Sequence, residues 1–126
     1  MAHTIINSPD APAPIGPYSQ ATMANGTLYV SGQIPLDAQS GNLINASIEA
    51  ETHQVMRNLR AILAEADMDF SNVLKCTIFV KDLNNFGRIN ETYGSYFISN
   101  PPARETVEVS RLPKDVSVEI SCIAAK

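Results

Sequence analysis

The sequence predicts a two-layer α+β fold, a mixed β-sheet with two helices packed on one face, in the order β-β-β-α-β-α-β-β. Two kinds of periodicity predict it. Apolar residues recur at three- and four-residue spacing over 48–66 and 85–98, as on amphipathic helices. They alternate with polar residues over 73–80, 103–110 and 116–124, as on strands with one buried face. No linker, repeat or low-complexity block divides the chain, so residues 1–126 are read as one domain.

Residues 3–7 (H-T-I-I-N) read as a short strand. Ser8 to Pro17 carries four prolines and reads as an extended loop that delivers Tyr18 at its end. Strands over 18–23 and 27–34 are joined by Ala24-Asn25-Gly26, an Asn-Gly turn between apolar residues. Leu28, Val30 and Gly32 share one parity, Tyr29 and Ser31 the other. Ser47 is the N-cap candidate of the first helix, with Glu49 and Glu51 where the helix dipole favours negative charge. In the strand over 73–80, Leu74, Cys76, Ile78 and Val80 line one face and Lys75, Thr77 and Phe79 the other. The second helix has an apolar stripe of Phe86, Ile89, Asn90, Tyr93 and Phe97. Its Gly87 and Gly94 each cost about 1 kcal/mol relative to Ala, so tertiary packing must hold it.

The last stretch, N-P-P-A-R-E-T-V-E-V-S-R-L-P-K-D-V-S-V-E-I-S-C over 100–122, reads as two strands with a tight return at Leu112-Pro113-Lys114-Asp115. Pro101 and Pro102 cannot join a ladder, so the first strand starts after them. Val107 and Val109 point one way; Arg104, Thr106, Glu108 and Ser110 point the other. Val116, Val118, Ile120, Cys122 and Ala124 form an apolar face opposite Ser117, Glu119 and Ser121. A hairpin of this kind sets Arg104 and Glu119 on one polar face. It also pairs Glu119 near Glu108, about 13 Å along from Arg104 at about 3.3 Å per residue. Either the arginine reaches back or two chains share the pocket.

Hydrophobic residues make up 44% of the chain and charged residues 17%, an ordinary balance for a soluble globular protein. A net charge of −4 gives no electrostatic reason to bind nucleic acid or an anionic membrane. No apolar run approaches the roughly 20 residues that span a bilayer. The Met-Ala-His-Thr start has no charged n-region and no apolar h-region, so no signal peptide is expected and the cytoplasm is the expected compartment. Cys76 and Cys122 fall on apolar strand faces, as buried thiols of a reducing compartment do. His3 and His53 have no partners at metal spacing, and no glycine-rich phosphate loop or G-x-S-x-G is present. Neither a metal nor a cofactor is expected.

Arg104 is the candidate anchor, because a guanidinium binds a carboxylate through a fixed two-point fork; its ordinary alternative is a solvated surface charge. Glu119, the only acid in the last strand, is the candidate for orienting water and moving protons; its alternative is a surface glutamate. Tyr18 is held over a pocket by the proline loop or simply packs there. Gly32, after Ser31 at a strand end, permits close backbone approach. Asn90 is an amide on an apolar stripe, which either caps a loop or touches ligand.

Five segments carry a resemblance: G-P-Y-S-Q-A at 16–21, V-S-G-Q-I-P at 30–35, I-N-E-T-Y at 89–93, P-P-A-R-E-T-V-E-V at 101–109 and L-P-K-D-V-S-V-E-I at 112–120. In order and spacing they resemble the YjgF family, also called the reactive-intermediate deaminase A family. The resemblance implies a chorismate-mutase-like subunit, a homotrimer around a central barrel, and inter-subunit pockets for a small 2-imino or 2-oxo acid. It implies hydrolysis of 2-aminoacrylate, 2-iminopropanoate and 2-iminobutanoate to 2-oxo acids and ammonia. It places Arg104 on the substrate carboxylate, Glu119 on the attacking water and Tyr18 over the pocket, with Ser31, Gly32, Asn90 and Thr106 as further binding positions. Cysteine is frequent in that family where this chain has Thr106, and Glu105 replaces a small residue. A thiol nucleophile at 106 is thereby excluded, and substrate preference is left open. Two other readings stand beside this one. One is a non-catalytic module that senses a 2-oxo acid. The other is RNA cleavage or translation inhibition, which the acidic balance and the lack of a basic stripe oppose.

Overall fold

The computed structural model describes residues 2–126. Its elements are β1 (Thr4–Ile6), β2 (Ala21–Ala24), β3 (Thr27–Gln33), α1 (Ile48–Glu65), β4 (Val73–Val80), α2 (Phe86–Gly94), β5 (Ala103–Glu108) and β6 (Val118–Ala125), the order expected. The six strands make one sheet, β1-β2-β3-β6-β4-β5, antiparallel throughout except for the parallel β4–β5 pair. Both helices cover one face. This is the mixed-sheet α+β arrangement that the periodicities predict.

Local chemistry accounts for the joints. Asn25 and Gly26 turn β2 into β3 with φ of 52° and 77°, the pair of positive angles a two-residue hairpin needs. Ser47 caps α1, its hydroxyl accepting from the Ala50 N–H at 3.0 Å. Glu51 is buried rather than solvated, and its carboxylate accepts from the Ser117 N–H at 2.9 Å, tying α1 to the entry of β6. Asn58 donates to the Ile34 and Leu36 carbonyls, both at 3.0 Å, and so fixes the loop that leaves β3. Between helices and sheet the core closes on Leu28, Val55, Leu59, Leu63, Ile78, Val118 and Ile120, none more than 1% exposed.

The predicted C-terminal hairpin does not form. β5 lies parallel to β4 at the sheet edge, and β6 inserts between β3 and β4. Burial explains the choice. Val118, Ile120, Cys122 and Ala124 are all almost fully buried, a face that only a central strand under the helices can hide. β5 offers few apolar side chains and suits an edge, which it reaches through the α2 crossover that a parallel pair requires. The nine residues 109–117 between the strands then run over the sheet end. Buried Leu112 pins them, and Lys114 and Asp115 are left-handed at φ of 55° and 56°.

Register sorts the side chains onto faces differently from the hairpin. Arg104 pairs with Cys76 and Thr106 with Ile78, so both lie on the helix-covered face. Glu119 pairs with Phe79, which also pairs with Val107, so these three share the open face. Arg104 and Glu119 are therefore on opposite faces of the sheet. Two smaller shifts have the same kind of cause. A bulge between Val30 and Gln33 takes Gly32 off the core parity, and one between Val73 and Lys75 leaves Leu74 exposed while Val73 fills the core position. α2 also stops at Gly94, short of 98, with Tyr96 and Phe97 packed beyond its end.

Candidate active site

Buried Gln20 organises the first cluster. Its side-chain amide donates to the carbonyls of Ser8, Ala11 and Pro12 at 3.0–3.2 Å and accepts from the Ser8 N–H at 2.6 Å. One side chain thus ties down the proline loop and sets Tyr18 at its end, half exposed, with its N–H on the Gly16 carbonyl. The Ser31 N–H donates to the Gln20 carbonyl and the Ser31 hydroxyl to the Ser19 carbonyl at 2.7 Å. Ser31 is consequently a structural tie between β3 and the Tyr18 segment, with its hydroxyl proton already engaged. Tyr18, Gln20, Gly32, Ile34 and Lys114 line a cleft of about 40 Å³.

Glu119 stands directly against Gly32. A Cβ built on Gly32 would lie 2.1 Å from a Glu119 carboxylate oxygen and 2.9 Å from its Cδ. The missing side chain is what lets the carboxylate lie against β3. Half-burial there raises the Glu119 pKa above its ordinary value, since desolvation disfavours the charged form. Gly32→Ala should therefore swing the carboxylate aside yet barely move Tm, because the displaced atoms end a flexible side chain; a melting measurement and a structure of the variant check this.

The second cluster lies at the other edge and on the other face. Asn90, on α2, accepts from an Arg104 guanidinium nitrogen at 2.5 Å. The guanidinium carbon lies 5.3 Å from the ring centres of both Phe86 and Tyr93, within cation–π range. Tyr93, Pro101, Pro102 and Arg104 surround an open recess of about 360 Å³. Of the two readings of Asn90, loop cap or ligand contact, the structure does not show the cap: its amide oxygen accepts from Arg104 and orients it. The Thr106 hydroxyl oxygen is buried without a hydrogen-bond partner, while Glu105 turns to the open face, accepts from Thr77 at 2.7 Å and pairs with Lys75 at 3.2 Å.

The seven predicted residues thus fall into two groups: Tyr18, Ser31, Gly32 and Glu119 in one, and Asn90, Arg104 and Thr106 in the other. Arg104 and Glu119 are two strands apart and three residues out of register, about 14 Å between backbone positions before the opposed faces are counted. Within one chain the two groups do not meet. Sequence reasoning missed Gln20, Phe86, Tyr93 and Lys114. Phe86, Asn90 and Tyr93 share one helix stripe, which was the available signal; Lys114 gave none beyond its place in the L-P-K-D segment. Among the described residues, no three His, Cys, Asp or Glu side chains gather as metal ligands do, and no helix is long and apolar enough to cross a membrane.

The chain is similar to a RutC family protein of Pyrococcus abyssi, 47% identical over 100% of this chain and 99% of that one. It is similar to a 2-iminobutanoate/2-iminopropanoate deaminase of Rattus norvegicus, 45% identical over 97% of this chain and 89% of that one. Among solved structures, the YjgF gene product of Escherichia coli superposes with a TM-score of 0.94 at 40% identity, covering 98% of each chain. The family model described as Endoribonuclease L-PSP matches residues 8–126. Fold, motif order and these matches agree, and the chain belongs to the Endoribonuclease L-PSP family, to which the YjgF and RutC likenesses point.

Proposed function

We propose that this protein is an enamine/imine deaminase, hydrolysing small 2-imino acids and their enamine tautomers to 2-oxo acids and ammonia. The observation that carries the reading is Arg104, an arginine fixed by Asn90 and two aromatic rings beside an open recess. Arg104 binds the substrate carboxylate through its remaining N–H groups. Glu119 accepts a proton from water as the oxygen attacks C2 and passes it to the imine nitrogen, giving a carbinolamine. It then takes the proton of the new hydroxyl and passes it to the amino group, so that the C–N bond breaks, ammonia leaves and C2 becomes the carbonyl. A carboxylate whose pKa is raised by burial suits both transfers. Imine hydrolysis proceeds in water, so positioning and proton transfer accelerate it with no metal or organic cofactor required by the chemistry. The relationship to the rat deaminase supports the same reaction class.

The opposed faces call for a second copy. We propose a homotrimer in which the open sheet face, with Tyr29 and Val107 exposed, forms the subunit contacts. Each pocket then joins the Tyr18–Gly32–Glu119 cluster of one subunit to the Asn90–Arg104–Thr106 cluster of the next. The cytoplasm is the proposed compartment, which suits the two buried free thiols Cys76 and Cys122. The family model's description names an endoribonuclease. Net charge of −4 and a His53 engaged with Tyr96 at 2.7 Å give RNA no evident grip, and no nucleic-acid partner is proposed.

A serine or threonine dehydratase supplies the unstable imine for the test, with semicarbazide present to trap what escapes. Wild type should divert imine from the trap to 2-oxo acid, and Arg104→Ala should lose at least about 100-fold in kcat/KM. Unchanged kcat/KM in Arg104→Ala would remove the carboxylate clamp. No acceleration by wild type would remove the enzyme.

A further inference from the structure

We propose that Tyr93 is the positioning residue for Arg104: its ring, not its hydroxyl, holds the guanidinium in the orientation that receives a carboxylate. The inference rests on the reading of Arg104 as that clamp. An arginine on an edge strand has many rotamers, and every one lost on binding weakens the complex. Three groups restrain this one, but they are not equally rigid. Asn90 is exposed and Phe86, at the first turn of α2, is half-buried. Tyr93 is only 4% exposed. Its ring packs on Phe97 at 4.9 Å between centroids, and Phe97 packs in turn on Phe70 at 5.4 Å. The guanidinium therefore rests on an aromatic surface locked from behind, which keeps its in-plane N–H groups available for ligand.

The hydroxyl points elsewhere. It lies beside the thiol of Cys76, a residue in the core, and makes no regular hydrogen bond. A buried hydroxyl whose only neighbour is a weakly hydrogen-bonding thiol gains little for its desolvation, so packing alone would accept phenylalanine at this position. Ring and hydroxyl can thus be separated by substitution. Tyr93→Phe keeps the aromatic surface and removes the orphan oxygen; Tyr93→Leu keeps an apolar filler and removes the surface.

The test uses two independent readouts on the full chain. In ¹⁵N NMR, the Arg104 Nε–Hε signal, assigned by its loss in Arg104→Ala, should carry a ring-current shift and slow exchange that persist in Tyr93→Phe and diminish in Tyr93→Leu, where only the Phe86 ring remains. In calorimetry with 2-oxobutanoate as probe, Tyr93→Phe should bind like wild type and melt no lower, and Tyr93→Leu should bind about tenfold more weakly. Tyr93→Met replaces the leucine variant should that one fail to fold. An Arg104 signal unchanged in Tyr93→Leu, or a Tyr93→Phe as impaired as Tyr93→Leu, overturns the proposal. Absence of 2-oxobutanoate binding by wild type, or its persistence in Arg104→Ala, overturns the clamp reading instead, and the NMR result still decides whether Tyr93 holds the arginine.

Discussion

Replacing Glu119 by glutamine is expected to lower kcat for imine hydrolysis by about 10²–10⁴-fold, the usual worth of a positioned acid–base group, while 2-oxo acid binding changes less than about threefold. Glutamine keeps the shape beside Gly32 and keeps hydrogen-bonding atoms, but it can neither take a proton from water nor return one. Arg104, the proposed carboxylate anchor, is untouched. Steady-state turnover and calorimetry on the same preparation check the split. A variant that retains kcat would remove Glu119 from the mechanism. Equal binding and equal absence of turnover in wild type and variant would make the pocket a sensing site.

The same substitution has a predictable effect on stability. Burial raises the Glu119 pKa, so in the window between its unfolded and folded values the native chain binds more protons than the unfolded one. Stability contributed by this group therefore falls as pH rises through that window, and above it the buried charge is a constant penalty. Glu119→Gln has no such term. Its Tm at neutral pH should equal or exceed that of wild type, and its melting profile should lack the decline above the ordinary carboxylate range. Loss of activity with no loss of Tm is the signature of a residue kept for chemistry at a cost in stability.

Periodicity carried most of the fold because each element obeys a local rule. Ser47 caps where a hydroxyl can, Asn25-Gly26 turns where two positive φ angles are needed, and alternating burial in β4 and β6 follows from a single covered face. Strand pairing is not local. Residues 103–110 and 116–124 alternate just as hairpin strands do, and nothing in either run states that β6 will insert beside β4. That decision is made by how much apolar surface each strand must hide. Its consequence for the site is large, because shifting the partners sent Arg104 and Glu119 to opposite faces. The residues named from sequence still cluster, but as two halves. The aromatic seat of Arg104 escaped notice because Phe86 and Tyr93 read as ordinary core at helical spacing.

Two inactive variants, Arg104→Ala and Glu119→Gln, should restore activity to each other when their subunits mix. In a closed ring every contact is heterologous, and in the proposed trimer one subunit's Arg104 face meets the next subunit's Glu119 face. A pocket is intact when its first subunit has kept the arginine and its second the glutamate. With equal, random assortment that holds for about one pocket in four, so co-refolded or co-expressed variants carrying different tags should recover about a quarter of wild-type kcat per site. The parent variants alone should stay near background. The chain mass of 13.6 kDa sets the companion measurement, sedimentation at about 41 kDa for three copies. Opposite faces of one sheet make the expectation specific, because a pocket within a single chain allows no rescue whatever the oligomer. Full-mass mixed trimers with no recovered turnover would therefore overturn the shared pocket. A species of one-chain mass with full activity would overturn the trimer as well, and would require the two half-sites to act without ever facing each other.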